Sequence, residues 1–547
     1  MLLPVQFDFL TLGSGIFLYA EMHYRFKYFP FSRYFRREPE ILADAPFRLD
    51  PGKPLPVLIL VKDADKYPII LSSIDIELIS KKGNRKNFKY RKDVEINDRW
   101  WYETIFLDVD EHSGMCKINV VFTYEINGKI KSCINHNLKT SPEKPLSVFI
   151  SNDPLPGVDK GWRWGDLHYH SSYTEDFVEF GAPLEATQLS AKALGLSFVC
   201  ITDHSYDIDK LPDSWWSKDI NLTKWKEFLK EVNELNKPEK PVLIPGEEVT
   251  TSNSGNKNVH TLVLNHPEFL PGSGDGAEKW FRTKTELSIK NTIKIKKENT
   301  LIIASHPREP FSFLGRLFLN RGTWHQTDLE LNGLNGFEIL NGHFNDGFYK
   351  GLNDWIDILL KKQKSFIYAG NDAHGNFNRF RQIKIPMLTT WNNLNYIFGK
   401  CRTGILPSGS PAQHPVDNID SIIQSLKQGK CVISDGPLLS LIAENSTESV
   451  TLGDTINGSN IKIKIGNDST LEFGELKEVT LYLGNFRTAK ETVVFTHRFD
   501  LNSFSETLDF SYNFHGISGY IRGKLVSTID ERDHTCYTNP IWVNYPL

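Results

Sequence analysis

Cysteine is scarce and dispersed in this 547-residue chain: six residues, Cys116, Cys133, Cys200, Cys401, Cys431 and Cys536, none in a Cys-x-x-Cys pair. That spacing argues against a disulfide scaffold and a thiolate zinc site, and it reads the six as reduced packing residues. Cys200, in the apolar "SFVCITDH", reads as a core thiol. Charge of one sign is also missing. Lysine and arginine number 63 against 67 acidic residues, for a net charge of −4 with no long basic run, so the chain has no broad surface for nucleic-acid phosphates. Long hydrophobic runs are lacking too. "FLTLGSGIFLYA" (Phe9 to Ala20) is too short to span a bilayer and follows Asp8 with no basic residue before it, so neither a transmembrane segment nor a secretory signal is read, and a cytoplasmic location is expected. No Gly-x-Ser-x-Gly stands between a strand and a helix, which removes a serine-nucleophile elbow. The glycine-rich "PGSGDG" (Pro271 to Gly276) lacks the Lys-Ser/Thr of a phosphate loop and reads as a surface loop.

With 40% hydrophobic and 24% charged residues, the composition is that of a globular protein of several domains. Residues 1–50 read as an N-terminal extension, in which "HYRFKYFPFSRYFRR" interleaves aromatics with arginine and lysine. Residues 51–151 hold short alternating runs such as "PLPVLILV", "WWYETIFLDV" and "CKINVVFTYEI" between polar turns, the pattern of an antiparallel sandwich. "NDPLPGVDKG" (Asn152 to Gly161) follows as a linker. From 162 to 440 short apolar runs without polar alternation ("FVCI", "TLVL", "LIIA", "GFEIL", "FIYA") are interleaved with helical patterns such as "PLEATQLSAKAL", "TKWKEFLKEVNEL" and "LNDWIDILLKK". That rhythm predicts an α/β class with a parallel sheet or barrel. Residues 441–547 return to β patterning and read as a C-terminal β domain.

The chemistry concentrates where the apolar runs of 162–440 end. "DLHYH" supplies His168 and His170, "ITDH" Asp203 and His204, "PGEEV" Glu247 and Glu248, "ASHP" His306, and "GNDAH" Asp372 and His374. His260 in "VHTLVL" differs, since it precedes its run. In an extended strand residues i and i+2 share a face, so His168 with His170, and Asp372 with His374, can each address one point. Imidazole nitrogen with carboxylate oxygen suits zinc, manganese or iron, whereas an all-oxygen set would suit calcium or magnesium. Any one of these residues alone reads as an ordinary strand end. Their recurrence at five run ends, with His260 at the start of a sixth run, points to a metal site.

At these residues the sequence resembles the polymerase and histidinol phosphatase (PHP) superfamily, through Asp-Leu-His-x-His-Ser, Thr-Asp-His, Gly-x-Glu, an isolated His, Ser-His-Pro and Asp-x-His. The resemblance covers about residues 162–440. It implies a distorted seven-stranded β/α barrel, flanked here by N-terminal and C-terminal β-sandwich-like domains, with two or three divalent transition-metal ions (Mn, Zn or Fe) at its mouth. It further implies His168, His170, Glu248 and Asp372 as one ligand set, and Glu248, His260 and His306 as a second. His204 and His374 fall to a third, with Glu175, beside Asp176, in the neighbourhood of a further family ligand. "QGKCVISDGPLLSL" and "TNPIWV" resemble the branch that includes aryl-carbamate hydrolases. The implied activity is hydrolysis of a small-molecule phosphoester by metal-activated water. Asp203 or His204 would relay the proton or orient a ligand, and Arg308 would hold an anionic substrate oxygen. The alternatives are a carboxylic or carbamic ester hydrolase on the same site, or a binding module that uses metal only for stability.

Overall fold

The computed structural model of the chain describes residues 38–137, 144–174, 180–211, 217–275, 283–310, 319–379, 382–385, 388–392, 395–407 and 418–545. Residues 1–37 of the N-terminal extension, and Glu175 among the candidate ligands, lie outside them.

Two sheets face each other near the N-terminus. One joins Glu40–Asp44, Leu55–Lys62 and Trp100–Leu107; the other is six-stranded and includes Ile69–Ser80, Arg85–Ile96 and Gly114–Ile126. Burial along Gly114–Ile126 alternates residue by residue, as expected of a strand with one face on a core. Val57, Ile59 and Val61 of the first sheet share that core with Ile74, Ile76, Val120 and Phe122 of the second.

The expected α/β class and seven-stranded β/α barrel are corrected by the strand pairing. The chain is mostly β, and the strands between 163 and 374 belong to one mixed sheet of 17 strands that runs on into the C-terminal part. Arg163–His170, Phe198–Ile201 and Val242–Ser252 are parallel neighbours. Asn258–Leu264 then runs antiparallel to both Val242–Ser252 and Leu301–Ala304. Leu301–Ala304, Gly336–Asn341 and Phe366–Gly370 are again parallel. From Arg163–His170 the sheet continues antiparallel through Arg402–Ile405 and Cys431–Ser434 to Arg532–Thr538. Among the described residues the helices are too few for an alternating β/α rhythm. Leu184–Leu194, Thr223–Leu235 and Asp346–Leu360 form where helical periodicity predicts them, but only a tight turn separates Val242–Ser252 from Asn258–Leu264. The physical reason for the difference is that an unbroken apolar run reports burial on both faces, which the middle of a mixed sheet provides as well as a parallel barrel does.

A second C-terminal sheet, which includes Leu438–Glu444, Asn460–Asp468 and Ser505–Asn513, packs on the large one through Leu441, Ile463 and Ile465 against Val479, Leu481 and Leu525. One fully buried arginine ties the regions together. Arg48 meets Glu472 at 2.7 Å and Asp50 at 2.9 Å, and donates to the carbonyls of Leu194 and Asp153. A buried guanidinium needs such a full set of acceptors. Among the described residues, no helix is long and apolar enough to cross a membrane.

Candidate metal centre

The strand alternation of Arg163–His170 turns His168 and His170 to the same side, and both imidazoles are fully buried, with their Nε2 atoms 3.2 Å apart. Glu248 comes from the neighbouring region of Val242–Ser252 and lies at the centre. Its carboxylate oxygens are 2.8 Å from His260 Nδ1, 3.0 Å from His204 Nδ1, 3.2 Å from His306 Nε2, 3.4 Å from His168 Nε2 and 3.5 Å from His170 Nε2. Glu247, one residue earlier, points the other way. It accepts from the Leu270 amide, and burial pushes its carboxyl up to about 8.

His260 reaches the cluster because its strand is antiparallel to its neighbours. The start of Asn258–Leu264 therefore lies beside Thr250 and next to Ala304, at the edge where the parallel strands end. This is why it precedes its apolar run while the other candidate ligands follow theirs. Asp372 and His374 arrive by a different route from the strand pair expected of them. Asp372 has left-handed backbone (φ 49°) and its amide donates to the His168 carbonyl; Ala373–His374 then pairs with Tyr169 and His170. The Asp372 Oδ1 comes to 3.1 Å from His170 Nε2 and 3.4 Å from His168 Nε2. His306 also holds positive φ, at 27°. Left-handed backbone at non-glycine residues costs of order 1–3 kcal/mol and collects at functional sites; here it falls on two of the cluster's own members.

Three donor sets result: His168, His170, Glu248 and Asp372; Glu248, His260 and His306; and His170, His204 and His374. Within each set the donor atoms lie within 4.8 Å of one another, a span that ligand bonds of about 2.0–2.2 Å close with small side-chain shifts. His204 Nδ1 and Glu248 Oε2 are buried and 3.0 Å apart without hydrogen-bond geometry between them. Buried polar atoms without a bonded partner are costly, and a cation placed between nitrogen and oxygen lone pairs satisfies both. The donor chemistry and these orphaned atoms fit a transition-metal centre.

The field of the cluster is strongly divided. Burial opposes charge on Glu248 and Asp372, but neighbouring His260 and His168 hold Glu248 well below the usual carboxylate range, and His168 and His170 hold Asp372 low as well. Burial lowers His260, and the Glu248 and Asp275 carboxylates outweigh it and raise the group to about 9. His170 goes the other way, pulled well below normal by burial and by His374 and His204.

Asp203 and Arg308 stand outside the three donor sets. The Asp203 carboxylate accepts from the amides and hydroxyls of Ser171 and Thr174, so it fixes the loop that leaves His170. Arg308 pairs with Asp354 and donates to the Trp324 carbonyl. Two carboxylates were overlooked in the sequence. Glu338 is fully buried and lies 2.9 Å from His168 Nδ1. Its only trace in the sequence is a single acid inside the apolar "GFEIL". Asp275 belongs to "PGSGDG", but residues 272–275 are not at the surface: Asp275 is buried, 3.5 Å from His260 Nε2 and paired with Arg321 at 2.6 Å.

No family model matches this chain, and no curated protein matches it. Among solved structures, it is similar at 8% identity to a glycosyl hydrolase family 2 member from Bacteroides cellulosilyticus, over 92% of this chain and 63% of that one, with a TM-score of 0.16. A β-glucuronidase 2 from Bacteroides uniformis gives 10% identity, coverage of 92% and 61%, and a TM-score of 0.17. The chain thus spans about three-fifths of the length of these structures. Likeness at this level carries neither their fold nor their activity to this protein.

Proposed function

We propose that this protein is a metal-dependent hydrolase whose site holds two or more divalent transition-metal ions, with Glu248 shared between donor sets. One observation carries the reading: a single buried carboxylate stands within 3.5 Å of five imidazoles. That is far more convergence than packing requires, and the motif resemblance to the PHP superfamily supports it. Bound ions of this kind supply Lewis acidity and a water acidified toward neutral pH.

The chain's own residues set the geometry. His168 and His170, fully buried, form the floor. Asp372, His204 and His374, with side chains 24%, 12% and 13% exposed, form the rim. Substrate therefore approaches over the Asp372–His374 side. Asp203 holds the 171–174 loop against this rim.

A phosphoester is the first substrate class. A carboxylic or carbamic ester is the second, and one observation favours it: Arg308 and Arg321, two described arginines near the cluster, are committed to Asp354 and Asp275, which leaves them less cationic capacity for a phosphoryl group. Protein loaded with manganese or zinc, assayed on aryl phosphates, phosphodiesters and aryl esters, tests the proposal. Turnover on one class and loss of it on chelation is the expected result. Metal-loaded protein inert on every class would favour a metal-stabilised binding module.

A further inference from the structure

We propose that Glu338 is a positioning residue that fixes the His168 imidazole, so that Nε2 and not Nδ1 faces the shared donors. The inference rests on the metal-centre reading and extends it to a residue outside the three donor sets.

The geometry is specific. Both Glu338 oxygens lie against His168 Nδ1, at 2.9 and 3.1 Å, while Nε2 on the opposite side of the ring faces His170, Glu248 and Asp372. An ionised carboxylate only accepts, so its hydrogen bond puts a proton on Nδ1 and leaves Nε2 as the nitrogen that a bound cation would use. Ser305 adds a second constraint. Its hydroxyl donates to Glu338 Oε2 at 2.9 Å and sits 3.4 Å from His168 Nδ1. Glu338 is thereby held in place by the residue immediately before His306, a member of the second donor set. Gly370 closes the pocket from behind: a Cβ there would lie 2.5 Å from the His168 Cβ and 2.6 Å from Glu338 Oε1. Nothing about core packing calls for an acid here. Glu338 is wholly buried in a strand whose six residues are all buried, and a buried carboxylate without a specific partner is strongly disfavoured. Carboxylates in this relation to a ligand histidine raise its basicity and lock its orientation, and their loss typically weakens metal binding about 10–100-fold.

The test is a titration of the full-length metal-free protein with Co²⁺, reading affinity by chelator competition and ligand geometry by the visible d–d absorption. Glu338→Gln keeps the shape but loses the charge, and its amide presents a donor toward Ser305. In a variant whose circular dichroism matches wild type, the expected result is about 10–100-fold weaker binding of at least one ion with an altered d–d spectrum. Wild-type affinity and spectrum in folded Glu338→Gln would overturn the proposal. If Glu338→Gln does not fold, Glu338→Asp decides, since it keeps the charge but withdraws it by one methylene. A weakened, spectrally shifted site supports the assignment, and an unchanged one overturns it. Failure of wild type itself to bind Co²⁺ would instead overturn the metal-centre reading on which this proposal stands.

Discussion

Replacing Glu248 by glutamine separates a shared ligand from an ordinary one. The change keeps the side-chain volume, removes one negative charge, and substitutes an amide for a carboxylate that faces five imidazoles between 2.8 and 3.5 Å. Without Glu248 the first donor set falls to His168, His170 and Asp372, and the second to His260 and His306. Loss of an outer carboxylate already costs about 10–100-fold in affinity, so loss of a direct ligand sets a floor of about 100-fold, or roughly 2.8 kcal/mol at about 1.4 kcal/mol per decade. Both sites should suffer, and the two-donor remnant should lose its ion under conditions that leave wild type loaded. The assay is elemental analysis after equilibration against a chelator of known affinity, with circular dichroism to confirm the fold. Folded Glu248→Gln protein that keeps two ions at wild-type affinity refutes the reasoning. Loss of only one ion, the other unaffected, refutes the sharing.

Three further outcomes test the surrounding structure. Arg48→Ala strips the guanidinium from Glu472, whose side chain is only 9% exposed, and chemical denaturation should show a loss of about 3–5 kcal/mol; a change below about 1 kcal/mol would contradict the claim that Arg48 ties the regions together. Gly370→Ala places a methyl 2.5 Å from the His168 Cβ, so it should destabilise by about 1–3 kcal/mol and lower metal content together; full metal content would show that the His168 pocket yields. Arg308→Ala breaks the pair with Asp354 and should cost about 1–3 kcal/mol while leaving the ions in place, so loss of metal would place Arg308 within the centre's support.

The candidate ligands were legible because metal-ligand side chains recur at the ends of apolar runs, a local signal. His260 was legible as a residue but not as a position, since strand direction depends on pairing partners distant in the sequence. The same limit produced the error in fold class. "TLVL" and "LIIA" show burial on both faces and nothing about whether their neighbours run parallel or antiparallel. Glu338 and Asp275 stayed hidden for opposite reasons. One acid within "GFEIL" looks like an interruption of a core strand, and Asp275 sits among glycines that look like solvent-exposed loop. Only the tertiary structure brings each to an imidazole: Glu338 to His168, Asp275 to His260. The left-handed backbone of Asp372 was likewise invisible, because no glycine marks it.

The most direct measurement is the metal content of the wild-type chain. Protein purified without chelator, incubated with manganese, iron or zinc and then desalted, should hold at least two ions per chain by elemental analysis, because the donors form sets joined through Glu248. Less than one ion per chain under all three metals would contradict the account at its centre.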